Sequence, residues 1–361
     1  MRLADRPHPW NRGPIGIARR IETIFFLVFG FAMLLVVSAI PAFAQLEPGG
    51  TTGLPNAEVN PIPTTSGTLG LFTLESGEML ESGWSFSAYA NRFSRMPGSV
   101  IVSNYGLTVG WGFRKRVNFY TGFQPEVATQ IGSPGQLSLR TPPDVIAFPQ
   151  FQNTIYRSLG PGQGPGYVED FPFASRNDSG PGNVTLGVKF GLLSEDEGAP
   201  LSLSIRNDFI IPTRTTLKGL LGNGTQTGEI DDLVTTAVSR NFFNLVTLVG
   251  NFGYLITRDP RAGGMRDLRQ ADQVHMGAGF ILFPAKRIQF MSEYNGLVFA
   301  GTATPNTASG ARDPVDGIWG LRIYILREAA VDIGYRNMLN LQNSTDRNGF
   351  VIKLGVSSWP F

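Results

Sequence analysis

The chain has 361 residues and a formal charge of +2; 42% of it is hydrophobic, only 16% is charged, and it has no cysteine. Charge this sparse argues against disorder and against a broadly basic nucleic-acid surface, and the missing thiols exclude disulfide scaffolds, thiolate zinc sites and cysteine nucleophiles. The 44 glycines and the 26 Phe, 9 Tyr and 5 Trp at a mean hydropathy near zero favour strands over helices.

Arg19 and Arg20 precede an uncharged apolar run, Ile24 to Ile40, which ends at Pro41 and the small-x-small triplet Ala42-Phe43-Ala44. This reads as a Sec-type secretory signal, residues 1–44, cleaved before Gln45, in preference to a single membrane anchor. Five arginines (Arg2, Arg6, Arg12, Arg19, Arg20) against Asp5 and Glu22 lie in that segment, so the remainder of the chain is nearly neutral. Residues 45–66 are rich in Pro, Gly and Thr and lack periodicity, so a flexible periplasmic lead-in is expected there.

From there to residue 361 a single domain is expected. Segments of strand length recur with period two. Trp84, Phe86, Ala88 and Ala90 alternate with Ser85, Ser87, Tyr89 and Asn91; Leu186, Val188 and Phe190 alternate with Gly187 and Lys189; Val274, Met276 and Phe280 alternate with His275, Gly277 and Gly279. Strands are placed at 83–95, 101–113, 116–127, 182–193, 200–212, 230–240, 244–257, 272–283, 286–299, 315–327, 329–338 and 347–358, with one more conceivable at 68–75. From the second connection onward, short links (RK, LSEDEGA, NFF, PA, E) alternate with long ones. One large apolar face, one small or polar face and alternating loop lengths define an all-β fold: a transmembrane antiparallel up-and-down β-barrel of about twelve strands, with tight periplasmic turns and long outer loops.

Lys189, Arg206, Asp208, Glu293, Arg322, Asp332 and Arg336 fall on the inner face, where a water-filled lumen would tolerate them and a dry core would not. Trp84, Trp111, Phe113, Tyr254, Phe283, Phe299 and Trp359 suit interfacial girdles, and the terminal Phe361 suits delivery by the outer-membrane barrel assembly machinery. The longest connection, 128–181, carries Phe148, Phe151, Tyr156, Phe171 and Phe173, and is expected to cap the barrel or fold into it.

The stretch SGPGNVTLGVKFGLLSEDEGAPLSLSIRNDFIIPT (179–213), with LVGNFGYLIT (248–257), EYNG (293–296) and DIGYR (332–336), resembles the bacterial outer-membrane barrels grouped with the transporters of the phenol meta-cleavage pathway. The resemblance implies passage of hydrophobic or aromatic compounds and no catalytic residues. His275 is the one histidine beyond the signal segment, so neither a metal nor a cofactor is expected. A rim hydrolase using Asp231 and Asp232 opposite Asp272 and His275 is one alternative; an adhesive or structural barrel with a plugged lumen is another. The expectation is a monomeric outer-membrane channel whose partners are the lipid bilayer and a small-molecule solute, with no role for nucleic acid.

Overall fold

The computed structural model describes residues 59–96, 100–131, 177–214, 228–258, 261–262, 265–266, 272–300, 315–339 and 348–358. Its strands are β1 (Gly83–Met96), β2 (Val100–Phe113), β3 (Val117–Ile131), β4 (Asn177–Gly180), β5 (Val184–Leu193), β6 (Ser202–Ile211), β7 (Asp231–Phe242), β8 (Val246–Ile256), β9 (Arg261–Ala262), β10 (Met265–Arg266), β11 (Asp272–Leu282), β12 (Ile288–Ala300), β13 (Val315–Tyr324), β14 (Ala329–Met338) and β15 (Asn348–Ser358). Twelve of them make a closed antiparallel barrel with next-neighbour connections; β4 is an extra strand against the end of β3, and β9 with β10 is a separate small hairpin. All twelve expected strands are present, most of them within two residues of their expected ends.

Closure brings the first strand against the last. Nine residue pairs, from Trp84↔Ser358 to Arg92↔Phe350, join β1 to β15. Closure leaves the twelve-stranded wall without an open edge, which a bilayer demands. The short turns are tight: Arg114 and Lys115, and likewise Phe243 and Asn244, all have φ between 51° and 58°, the left-handed pair that matches hairpin twist.

The outward face is apolar. Trp111, Phe119, Leu186, Phe190, Phe209, Leu248, Phe252 and Ile333 are all more than 40% exposed, while Lys189, between Leu186 and Phe190, is fully buried. Of the expected girdle residues, Trp111, Phe113, Tyr254 and Phe283 are exposed and Trp84 is half-buried; the Phe299 side chain, Trp359 and Phe361 lie outside the described residues. Among the described residues the register shifts at Ser94–Met96 of β1, at Gly191–Leu193 of β5 and within β3. Gln124 and Pro125 of β3 oppose Gly106 alone, between the pairs Tyr105↔Glu126 and Leu107↔Phe123. Proline cannot donate to a ladder, so this bulge takes it out of register. The inward parity of β3 changes there, from Asn118 and Tyr120 to Val127 and Thr129.

Val188 pairs with Phe119 on the outward face, between the exposed Leu186 and Phe190. Val188→Arg is expected to cost about 2–4 kcal/mol in refolding titrations into lipid vesicles, and Val188→Leu almost nothing. Equal stability of the two variants would contradict this facing.

Candidate functional site

The interior of the barrel is occupied by the chain itself. Residues 59–82, which precede β1, run through the lumen before the first strand begins, and the core of the molecule lies between this segment and the wall. Leu71, Phe72 and Leu74 pack against Val249, Ile281, Met291, Ile318 and Val351, while Val59 and Ile62 pack with Tyr324 and Ala330. The wall makes room with glycine: a Cβ on Gly355 would collide with Ile62, on Gly334 with Phe72 and on Gly277 with Leu74. The lead-in expected over 45–66 is corrected accordingly. Over 59–66 the chain is packed, with Ile62 and Thr64 fully buried, and 45–58 lie outside the described residues. The stretch 68–75 adds no strand to the sheet; Pro63↔Leu69 and Gly70↔Glu75 are isolated bridges that fold the segment on itself.

The segment is held largely by its main chain. At the short-turn end, the Tyr324 hydroxyl donates to Asn60 O (2.7 Å) and Ser357 Oγ to Pro61 O (2.6 Å). Ser87 Oγ donates to Thr64 O (3.0 Å). At mid-barrel the three successive amides of Phe72, Thr73 and Leu74 all donate to the Glu293 carboxylate at 3.1–3.2 Å, a nest of N–H groups around an anion. The preceding carbonyls face cations. Arg322 Nη2 donates to Gly70 O (2.9 Å) and Lys353 Nζ to Leu71 O (2.8 Å), and both cations also bind Asp332 at 2.8 Å. Across the lumen, Lys189 Nζ donates to Ser76 O (2.6 Å) and Glu78 O (2.9 Å). Glu78 is half-buried near the short-turn end. Burial, reinforced by Asp196 and Glu195, pushes its pKa up to about 7, which spares that end of the segment part of a negative charge near neutral pH.

All seven inner-face charges point into the barrel. The surroundings expected for them need correction. Lys189, Glu293 and Asp332 are fully buried, Arg206, Asp208 and Arg322 almost so. Their partners are one another and the 59–82 segment: Arg206 pairs with Asp208 (2.7 Å) and reaches Glu75 of the segment (3.3 Å). Arg336 is the most accessible of the seven; it pairs with Asp316 (2.7 Å) and lies 4.3 Å over the Phe93 ring.

Outward of the segment's tip lies a cavity of about 320 Å³. Thr73, Leu74 and Glu75 are its floor; Arg206, Leu233, Asn251, Leu297, Arg336 and Met338 are among its walls. Two of the charges expected from the sequence, Arg206 and Arg336, line it. The segment's Glu75 does too, and no inner-face pattern points to that residue because it lies before the first strand.

The rim carboxylates do not assemble. Asp231 and Asp232 are consecutive on β7, and neighbours on a strand point to opposite faces. Asp231 accepts from the Arg258 amide (2.8 Å), whereas Asp232 accepts from Asn207 (2.6 Å) and Asp272 from the outward-facing Tyr254 hydroxyl (2.8 Å). His275 lines the cavity with Gln273 at 3.2 Å. The four groups share no face on which a water and a substrate could meet. Among the described residues no group of three or more His, Asp or Glu is placed to hold a metal. The loop aromatics Phe148, Phe151, Tyr156, Phe171 and Phe173 lie outside the described residues.

A closed twelve-stranded antiparallel barrel with an apolar exterior and a charged interior has the architecture of outer-membrane, porin-like channels. No protein-family model and no curated protein matches the sequence. Among solved structures, the chain is similar to the COG4313 outer membrane channel from Pseudomonas putida F1, with a TM-score of 0.50 at 10% identity over 78% of this chain and 97% of that one. The CymD monoaromatic hydrocarbon channel gives a TM-score of 0.38 at 9% identity over 78% of this chain and 89% of that one. At 10% identity the first of these likenesses is one of fold.

Proposed function

We propose that this protein is an outer-membrane channel for small solutes, and that its passage is set by the 59–82 segment and the cavity above it. The carrying observation is that cavity: an internal space of about 320 Å³ inside a lipid-facing barrel, lined by both charged and apolar side chains. Leu74, Leu233, Leu297, Met338 and Phe93 give it walls suited to hydrophobic or aromatic bodies. The resemblance of the 179–213 hairpin to transporters of the phenol meta-cleavage pathway points the same way. Export through the residue 1–44 signal, delivery through Phe361 and a monomeric state belong to the same reading, as does a permeation role for the loop at 128–181. The scattered rim carboxylates favour a channel over a hydrolase.

Refolded full-length protein in planar bilayers and in swelling liposomes tests the reading. Small conductance steps, with uptake of small aromatic solutes and exclusion of disaccharides, are expected. Silence in both assays would refute it in favour of a second reading, a structural barrel with a closed lumen, which the fit of residues 59–82 to the wall also supports.

A further inference from the structure

Glu75 is the least satisfied charge in the lumen. Its main chain is fixed on both sides by Asn251, whose Oδ1 accepts from the Glu75 amide (2.9 Å) and whose Nδ2 donates to the Glu75 carbonyl (2.7 Å). Its carboxylate fares worse. Both oxygens are buried and accept no hydrogen bond, and the nearest cations stand at 3.3 Å (Arg206 Nη1) and 3.8 Å (Lys189 Nζ). A well-made charge-assisted bond is about 2.7–2.9 Å long, as Asp332 achieves with Arg322 and Lys353 at 2.8 Å. Arg206 has the matching deficit, because its Nε is buried without an acceptor. Glu75 and Arg206 both border the cavity, with Leu233, Leu297 and Met338 close by as apolar wall.

We propose that Arg206 and Lys189 form a binding site for small organic carboxylates with an apolar body, and that the chain occupies this site with its own Glu75 until such a solute displaces it. The site rests on the channel reading and narrows it to a class of solute. Arg206 holds Asp208 at Nη2 (2.7 Å) and Ser66 Oγ at Nη1 (2.9 Å), and a mobile carboxylate can approach its unfilled Nε at the charge-assisted length that the tethered Glu75 does not reach. A neutral solute cannot perform the exchange, because moving Glu75 aside would leave Lys189 without a counter-charge in a buried setting.

Calorimetric titration of the refolded full-length protein with benzoate, and with benzyl alcohol as its neutral counterpart, tests the site without requiring transport. Benzoate binds and benzyl alcohol does not. Glu75→Gln removes the competing carboxylate and tightens benzoate at least about tenfold, and Arg206→Gln abolishes binding. Leu233 pairs with Asp208 across the ladder, so Leu233→Asp adds a negative charge to the cavity wall beside the cluster and weakens benzoate even if the Arg206 variant fails to fold. Benzyl alcohol binding as well as benzoate, a Glu75→Gln variant no tighter than the parent, or a folded Leu233→Asp variant with unchanged affinity would each overturn the proposal. Liposome swelling by neutral solutes judges the channel reading separately, so uptake without benzoate binding would sink the site alone, and benzoate binding without uptake the channel alone.

Discussion

Replacing residues 59–76 with a Gly-Ser chain of equal length is expected to raise single-channel conductance by about an order of magnitude. An eight-stranded barrel is filled by its own side chains, whereas sixteen strands leave a wide aqueous pore; a twelve-stranded barrel lies between, and what fills it decides its permeability. Here the filler is Ile62, Leu69, Leu71, Phe72 and Leu74, all at most 5% exposed. Water would replace these side chains, and Glu293, Arg322 and Lys353 would no longer be held against a packed main chain. The variant should also unfold more readily, because burying each large apolar side chain contributes about 1.5–3 kcal/mol. Bilayer recordings, with heat-modifiable migration as the check on folding, decide the matter. An unchanged conductance in a folded variant would mean that the constriction lies elsewhere.

Asp332→Asn should lower the unfolding free energy by about 3–5 kcal/mol, the usual cost of removing one partner from a buried charge cluster. Asp332 is fully buried and accepts from Arg322 Nε (2.8 Å), Arg322 Nη2 (2.9 Å) and Lys353 Nζ (2.8 Å). Asparagine preserves the volume and leaves two cations uncompensated. Adding Lys353→Met should recover part of the loss, since the surplus charge is then reduced. Urea titrations in lipid vesicles measure both. A loss under about 1 kcal/mol would place the pair in solvent-like surroundings.

The strands are legible in the sequence because period-two alternation survives over most of their length, and the inner charges because each shares parity with small or polar neighbours. The lumen segment is not. Its leading part, with prolines at 61 and 63, has the composition of a tether, and its Leu69, Leu71 alternation imitates a strand. The complementary signal is on the wall: Gly277, Gly279, Gly334 and Gly355 all lie on the inner face, where small residues suggest an empty lumen and are in fact sockets for Leu74, Leu71, Phe72 and Ile62. The inner charges mislead for a related reason. Sequence parity says which face a side chain takes and is silent about what meets it there, so water is expected where backbone amides and carbonyls stand. The rim carboxylates mislead through consecutive numbering, which reads as a pair on paper and as opposite faces on a strand.

The contacts between β15 and the lumen segment join the two ends of the described chain. Lys353 reaches Leu71 across 282 positions, and Ser357 reaches Pro61 across 296, while the same strand zips onto β1. The earliest part of the described chain therefore completes its contacts only when the last strand is in place, so sealing the wall and completing the packing of its contents are coupled. Contacts so distant in sequence make that sealing slow. After it happens, the segment is enclosed on all sides by a wall that its own arrival helped to complete.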